Sequence, residues 1–217
     1  IGLWQRSTMQ ESISAPQVGG IVKLTGFILK TSLIIEMIGA ALLAPVFCND
    51  LGIAKGLWYS LFHSISAFCN AGFDLFGIRE PFSSLTFYHS NIYLNIIIML
   101  LIITGGIGFL VWGDIRIHKN RIRRFSLQSK VVLMTSAVLI VLPALYFFFY
   151  EYDYETIHDR TIHSLFQSVT TRTAGFNTTD LAAMDESGTA IMVILMLIGG
   201  SPGSTAGGMK TCLLYTS

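Results

Sequence analysis

Long apolar runs alternate with short polar stretches along this chain, and the pattern predicts helices in a membrane. Three runs, 24–48, 91–113 and 131–150, are long enough to span it, because a hydrocarbon core of about 30 Å needs about 20 helical residues. Two shorter segments, 57–68 and 161–171, are predicted to be helices that enter and stop, with a turn at 49–56 before the first. A fourth run, 189–198, meets a glycine-rich stretch and is expected to break partway.

One motif occurs twice within this pattern. Ser60 to Asp74 reads SLFHSISAFCNAGFD, and Ser164 to Asn177 reads SLFQSVTTRTAGFN. Each copy lies between two apolar runs, so the plan is span, short helix, Ala-Gly-Phe loop, span, and then the same again. Both copies run in the same direction, which predicts a parallel repeat about an axis along the membrane normal. The expected fold class is therefore an all-α membrane protein built from tandem repeats.

Composition and charge agree with a membrane protein and add an orientation. The chain is 52% hydrophobic and 12% charged, whereas soluble domains carry about 25% charged residues. The net charge of +1 gives no reason to expect nucleic acid as a partner. Basic residues concentrate between 116 and 130, which the positive-inside rule assigns to the cytoplasm. The acidic stretches 151–159 and 180–188 are then outside.

The repeated loop has the composition of an ion-binding backbone. Irregular backbone at membrane depth must be buried in protein or line a watery cavity. Peptide carbonyls in such a loop can replace the hydration shell of a potassium ion, and glycine permits backbone conformations that a Cβ forbids. A short helix in front of the loop directs its negative C-terminal end toward the cation.

The segments NAGFD at 70–74, TAGFN at 173–177 and GGSPGSTAGG at 199–208 resemble the Trk/Ktr/HKT potassium transporters, especially the bacterial Ktr/Trk membrane subunit. The resemblance covers essentially the whole chain and implies four repeats around one pore, of which this chain holds the second and third. It implies that backbone carbonyls of two filter loops, without side-chain ligands, bind potassium: Asn70, Ala71, Gly72, Phe73, Thr173, Ala174, Gly175 and Phe176. It also implies a gate loop beneath the filter: Gly199, Gly200, Ser201, Pro202, Gly203, Ser204, Thr205, Ala206, Gly207 and Gly208.

The resemblance implies further properties of the protein. It implies potassium transport rather than enzymatic activity, a multi-pass location in the plasma membrane, and a homodimer on a cytoplasmic nucleotide-binding regulatory ring. No cofactor is expected in this chain; potassium is the transported ion, while sodium coupling and the choice between Ktr and Trk branches stay open. The basic segment 116–130 is a candidate contact for the ring, although orientation by charge explains it equally well.

The expected organisation is a cytoplasmic connector (1–23), a pore repeat (24–117), a cytoplasmic basic loop (118–130) and a second pore repeat (131–217) truncated after the gate loop. The chain opens without Met and stops within what reads as a continuing helix. We therefore expect it to be a fragment of a longer protein.

Several residues allow a second interpretation. Ser201 lies in a G-x-S-x-G pattern, so a membrane-embedded serine hydrolase is the main alternative, and a secondary transporter of organic solutes is another. Arg172 is expected to brace the second filter loop by pairing with Glu155 or Asp180, in preference to tuning cation entry. Other polar residues are expected to pair locally or pack: Glu36 with a neighbouring helix, His63 and His163 in the core, and Cys48, Cys69 and Cys212 as free thiols.

Overall fold

Seven helices make up the fold in a computed structural model, which describes residues 21–78, 83–119, 121–153 and 156–210. Most of the predicted connector, Glu155 and Cys212 lie outside these ranges. Short 3₁₀ turns at Phe76–Ile78, Thr86–Tyr88, Ile122–Arg124 and Leu181–Ala183 join the helices. The helices are α1 (Ile21–Leu51), α2 (Ile53–Phe68), α3 (Ile92–Ile107), α4 (Phe109–His118), α5 (Leu127–Tyr146), α6 (Ile157–Thr170) and α7 (Glu186–Leu197).

Two helical stretches, Val22–Leu51 and Leu127–Glu151, are long and apolar enough to cross a bilayer, the second because a π turn extends α5 to Glu151. The bent pair formed by α3 and α4 makes a third span if it is taken as one. Helices α2, α6 and α7 have 16, 14 and 12 residues, fewer than a span requires. The prediction of an all-α membrane fold with tandem helical repeats is confirmed.

Helices α1 and α2 form a tight hairpin, and the predicted turn over 49–56 is wrong. Helix α1 continues to Leu51, and the chain reverses at Gly52 alone, whose φ of 82° is in the region that favours glycine. Beyond it, Gly56 packs directly on the backbone of Cys48, so the two helices approach without an intervening side chain. Gly52 at positive φ and Gly56 at the contact between the helices therefore take the place of the longer turn that the polar residues predict.

We expect Gly56→Ala to lower the free energy of unfolding by about 1–3 kcal/mol, because the added Cβ overlaps backbone that cannot move aside. Gly26→Ala on α1 is the matched control. No atom lies within 4 Å of its Cβ position, and helix propensity favours alanine there. Thermal unfolding of the detergent-solubilised full-length protein measures both effects; equal melting temperatures for the two variants would contradict the close packing.

Helix α3 is the centre of the molecule, since it contacts α1, α2, α5 and α6. Asn91 caps its start by accepting a hydrogen bond from Leu94 N at 3.1 Å. One apolar core cluster then joins both repeats around α3. Its fully or almost fully buried members include Phe47, Phe68, Phe76, Leu94, Ile98, Phe166 and Phe176. The two repeats are therefore packed as one body.

Helix α6 begins with a side-chain cap on the side predicted to be outside. The Thr156 side chain accepts from Asp159 N and donates to Asp159 Oδ2. The Thr156 hydrogen bond, followed by the neighbouring His158, holds the pKa of the exposed Asp159 carboxyl below its usual range.

Both helices that follow a repeated loop end close to a pair of glycines. Helix α3 ends at Ile107, Gly108 adopts a φ of 98°, and α4 leaves at an angle of 93°. In the second repeat, α7 ends at Leu197 and the glycine-rich stretch follows. The glycine pair at 105–106 lies just before the end of α3, whereas the pair at 199–200 follows the end of α7, so the helix ends earlier in the second repeat.

Candidate functional site

The two repeated loops have positive φ values at equivalent positions. In the first, Asn70 and Gly72 have φ values of 50° and 70°; in the second, Thr173 and Gly175 have values of 68° and 85°. The residues between and after them are not in this region, so left-handed and ordinary conformations alternate. Each loop directly follows the C-terminal end of a short helix, where the helix dipole is negative. The sequence repeat is thus also a repeat of backbone geometry.

The structure brings the two repeated loops, in which the sequence predicts a filter, into contact through their glycines. A Cβ on Gly175 would lie 3.5 Å from the Cα of Gly72, and a Cβ on Gly72 would overlap the carbonyl oxygen of Ala174. The second loop is also tied to the outer loop of the first repeat: Leu85 N donates to Asn177 O at 2.9 Å, and Asn177 N donates to Ser84 Oγ at 3.1 Å. Residues 103 positions apart in sequence therefore share one site.

A hydroxyl from the last turn of each short helix holds the end of the loop. Ser66 Oγ donates to Phe73 O at 2.7 Å, and Thr170 Oγ1 donates to Phe176 O at 2.6 Å. The carbonyl oxygens of the same two residues accept from Ala71 N at 2.9 Å and Ala174 N at 3.0 Å. Sequence reasoning missed Ser66 and Thr170, although aligning the two copies shows a hydroxyl at this position in each.

Between these anchors lie carbonyls with no hydrogen-bond donor among the described residues. They are the carbonyls of Asn70, Ala71, Gly72, Thr173, Ala174 and Gly175. The carbonyls of Phe73 and Phe176, which the sequence also predicts to bind the ion, each have one lone pair engaged by a hydroxyl. Three carbonyls per loop therefore have no hydrogen-bond donor within the described part of the chain.

The two loop phenylalanines have different surroundings. Phe176 is completely buried in the core cluster, with its ring centroid 6.4 Å from that of His63. Phe73 is 69% exposed beside Trp58 and Ile65 of α2. His63 itself is buried, donates from Nδ1 to Tyr59 O, and packs in the aromatic core, which agrees with the structural role that the sequence suggests.

The predicted gate loop, residues 199–208, is a closed turn whose two ends are joined by hydrogen bonds. Gly199 N donates to Met209 O at 3.0 Å, Met209 N donates to Leu197 O at 3.1 Å, and Gly200 N donates to Gly207 O at 3.2 Å. Just after the turn, Lys210 Nζ donates back to Ala206 O at 2.6 Å. The segment between these bonds is non-helical. Ser201 and Ala206 are buried, residues 202–205 are partly exposed, and residues 207–208 are exposed.

The gate loop also supplies the hydrogen bonds that the bend between α3 and α4 loses. In an unbroken helix Phe109 N would donate to Gly105 O. Here Phe109 N donates to Gly203 O at 2.7 Å, while Gly105 O accepts from Thr205 N at 3.3 Å and Gly106 O accepts from Ser201 N at 3.1 Å. The bend and the gate loop therefore satisfy each other's backbone groups.

The same loop lies directly against the filter region. Thr205 Oγ1 donates to Phe68 O at the end of α2 at 2.7 Å, and a Cβ on Gly208 would lie 3.2 Å from Thr173 Cγ2. Asn70, Gly106, Arg172 and Gly200 line a cavity of about 10 Å³ between them, which has room for about one water molecule. Filter loops, bend and gate loop thus converge in one small region.

Arg172 is part of this inner region, and the predicted ion pair with Asp180 is wrong. Its guanidinium is buried and donates from Nη2 to Ser136 Oγ on α5 at 3.3 Å. None of the described carboxylates forms an ion pair with it. The pair does not form because the two groups lie at opposite ends of the helices. Arg172 follows the C-terminal end of α6 and turns toward α5 and the cavity, whereas the acidic residues lie in the loops at the other ends of α5 and α6.

Other predicted candidates do not assemble into a catalytic or metal site. Ser201 is fully buried, and its hydroxyl has no hydrogen-bond partner within the described part of the chain. In those same residues, no three His, Cys, Asp or Glu side chains come together as a metal site. Glu36 accepts a contact from Cys69 Sγ at 3.9 Å, the local pairing that the sequence suggests. Cys48 and Cys69 are free thiols.

Comparison with known proteins gives a consistent result. The profile of TrkH, described as a cation transport protein, matches residues 3–217. The potassium/sodium uptake protein NtpJ of Enterococcus hirae is 40% identical over 99% of this chain and 47% of its own length. The Ktr system potassium uptake protein B of Bacillus subtilis is 38% identical over 97% of this chain and 47% of its own length. The chain thus spans about half the length of the curated relatives it matches.

A solved structure supports the fold. The potassium transporter TrkH from Vibrio parahaemolyticus superposes with a TM-score of 0.74 at 19% identity, covering 97% of this chain and 44% of that one.

Proposed function

Because the chain belongs to the TrkH cation transport protein family, we propose that it forms part of a potassium-conducting pore in the plasma membrane. The main support is the contact between Gly72 and Gly175, which joins two loops with the same alternation of φ sign at the ends of two short helices. Potassium is the proposed ion because the relatives' names specify potassium uptake. Sodium stays a second candidate, since one of those names includes it.

The proposed filter consists of Asn70 to Phe73 and Thr173 to Phe176, acting through backbone oxygens. A potassium ion sheds its water only if protein oxygens replace it. The carbonyls without internal donors support this role, because a buried or cavity-lining carbonyl without a partner is costly unless a ligand or water supplies one. The adjacent negative helix ends add attraction for a cation.

The proposed gate is the loop Gly199 to Gly208. It is supported by the position of the loop against Phe68 and Thr173, and by its backbone bonds to the bend after α3. A polar, glycine-rich segment is suited to this role because it can exchange its hydrogen bonds with water when it moves. Closed, it obstructs the inner side of the filter; displaced, it opens a path to the cytoplasm.

We further propose the division into two pore repeats, 24–117 and 131–217, joined by a cytoplasmic basic loop, within a longer polypeptide. The partners proposed are a second copy of the subunit and a cytoplasmic nucleotide-binding ring. The name "Ktr system" carried by one relative supports a multi-component assembly. The basic residues from Arg116 to Lys130 are the proposed contact for the ring.

The relatives are transport proteins and not enzymes, so the serine hydrolase alternative has no support. The buried Ser201 adds a physical reason, because a nucleophile needs a base in hydrogen-bond reach, and no described residue supplies one.

Reconstitution tests the proposed function. We expect the full-length protein in proteoliposomes to take up potassium down its gradient, with saturation and with sodium as a weaker competitor. Empty vesicles and vesicles carrying Gly26→Ala are the controls, the latter because that position contacts nothing within 4 Å. Absence of cation flux in vesicles that contain correctly assembled protein would contradict the proposal.

A further inference from the structure

We propose that the hydroxyls of Ser66 and Thr170 are positioning groups that set the ion selectivity of the filter. This proposal rests on the proposed filter function and adds residues outside the filter sequence itself. Its basis is a contact that occurs in both repeats: a last-turn hydroxyl donates to the carbonyl of the loop phenylalanine, Phe73 or Phe176, at 2.7 and 2.6 Å.

Each of these residues holds its loop at two points. The Ser66 carbonyl accepts from Ala71 N and its hydroxyl donates to Phe73 O, so both ends of the Ala-Gly-Phe segment are fixed to one residue. Thr170 makes the equivalent pair of bonds to Ala174 and Phe176. The two-point attachment fixes the curvature of the segment, and with it the directions of the carbonyls in between.

The attachment is well suited to a positioning role because it is buried and short. Ser66 and Thr170 are 5% and 4% exposed, which limits the access of water to both hydroxyls, and the Thr170 bond is completely buried. The glycine between the attachment points has no side chain that could hold the segment by packing. The two hydroxyl bonds are the hydrogen bonds that the described residues make to Phe73 O and Phe176 O. In the second loop, the buried Phe176 ring and the hydrogen bonds of Asn177 to residues 84–85 add a further restraint, so the hydroxyl matters most in the first loop.

The restraint bears on selectivity through the size of the ion. Discrimination between potassium and the smaller sodium ion depends on carbonyl oxygens that resist moving inward, or on their number and field strength. A segment released at its phenylalanine end can collapse toward a smaller ion or present an additional oxygen. Loss of either hydroxyl should therefore favour sodium relative to potassium.

The same helices offer matched controls. Ser60 and Ser164 occupy equivalent buried positions near the middle of α2 and α6, but their hydroxyls donate to Gly56 O and Arg160 O of their own helices. Removing those hydroxyls deletes a buried hydrogen bond of the same kind on the same helix without touching a filter loop.

The test measures potassium and sodium uptake by the full-length protein in proteoliposomes. We expect Ser66→Ala and Thr170→Val each to lower the potassium-to-sodium preference by about threefold to tenfold, the value of one net hydrogen bond. Ser66→Thr and Thr170→Ser keep a hydroxyl and should restore the preference. Ser60→Ala and Ser164→Ala should leave the ratio unchanged, and the ratio is independent of how much protein is inserted.

The outcomes separate this proposal from the filter assignment. If the glycine variants Gly72→Ala and Gly175→Ala lose selectivity while both hydroxyl-deleted variants retain it, the positioning role is refuted and the filter stands. If glycine and hydroxyl variants all retain wild-type selectivity, both assignments fail. A loss that the conservative hydroxyl variants do not restore would also overturn the positioning role, since shape and not the hydroxyl would then decide.

Discussion

Gly72→Ala is expected to reduce the potassium-to-sodium preference of the full-length protein by about tenfold or more. Two effects act together. The residue has a φ of 70°, where an alanine costs about 1–2 kcal/mol relative to the ordinary region. In addition, its Cβ would overlap the carbonyl oxygen of Ala174, one of the oxygens proposed to bind the ion. The substitution in one loop therefore displaces the other.

Gly175→Ala provides an internal comparison. It has the same backbone restriction, with a φ of 85°, but its Cβ would make only an ordinary contact, 3.5 Å from Gly72 Cα. Its effect should therefore be smaller than that of Gly72→Ala. Gly77→Ala, just after the first loop, meets no atom within 4 Å and should behave as wild type. Competitive uptake of potassium and sodium measures all three; the reverse order, or three unchanged ratios, contradicts the contact between the loops.

The second large effect is expected from deleting residues 201–208. Without any regulatory partner, we expect the deletion variant to conduct potassium about tenfold faster or more. The loop contributes three backbone bonds to the bend and one hydroxyl bond to Phe68 O, each worth about 0.5–1.5 kcal/mol net. Removing them together with the obstructing segment leaves nothing to hold the inner side closed. The deletion is feasible because Gly199 N already bonds Met209 O, so the remaining ends lie side by side.

Thr205→Val is the graded control for this deletion. It preserves volume and removes only the hydroxyl bond to Phe68 O, so flux should rise by about threefold to tenfold and selectivity should stay at the wild-type value. Flux measurements on the subunit alone and with its cytoplasmic partner distinguish the cases. A deletion variant whose flux is still switched by the partner in the normal way would refute the role of this loop as the gate.

Opening of the proposed gate would break the hydrogen bonds between the loop and the bend. Phe109 N and Gly105 O are partners in a continuous helix, but here each bonds the gate loop instead. If the loop leaves, these groups must find water or each other. If this loop is the gate, as we propose, straightening between α3 and α4 would offset part of the cost of opening, because Phe109 N could then bond Gly105 O.

Much of the architecture follows from local sequence. The length of each apolar run separates spans from short helices, because a hydrocarbon core of fixed thickness sets a minimum helix length. The echo between the copies at 60–74 and 164–177 predicts two equivalent loops, and both have the same alternation of backbone conformations. These features depend on neighbours in sequence, so sequence is sufficient to indicate them.

Local sequence also fails in identifiable places. The polar residues at 49–56 predict a turn, yet a single Gly52 is enough to reverse the chain, because helix packing at Gly56 stabilises the residues around it. Arg172 is predicted to reach an outer carboxylate, and instead it faces Ser136 on another helix. In both cases a tertiary contact overrides the preference of the segment.

By itself, the sequence determined that this is a membrane protein with two parallel repeats, each with a glycine loop, because apolar length and glycine spacing act within a segment. Only the tertiary structure decided that Gly72 meets Gly175, that the gate loop bonds the bend at Gly105 and Gly106, and that Ser66 and Thr170 hold the loops. These contacts join residues on separate elements, and their existence depends on how α3 packs both repeats into one core.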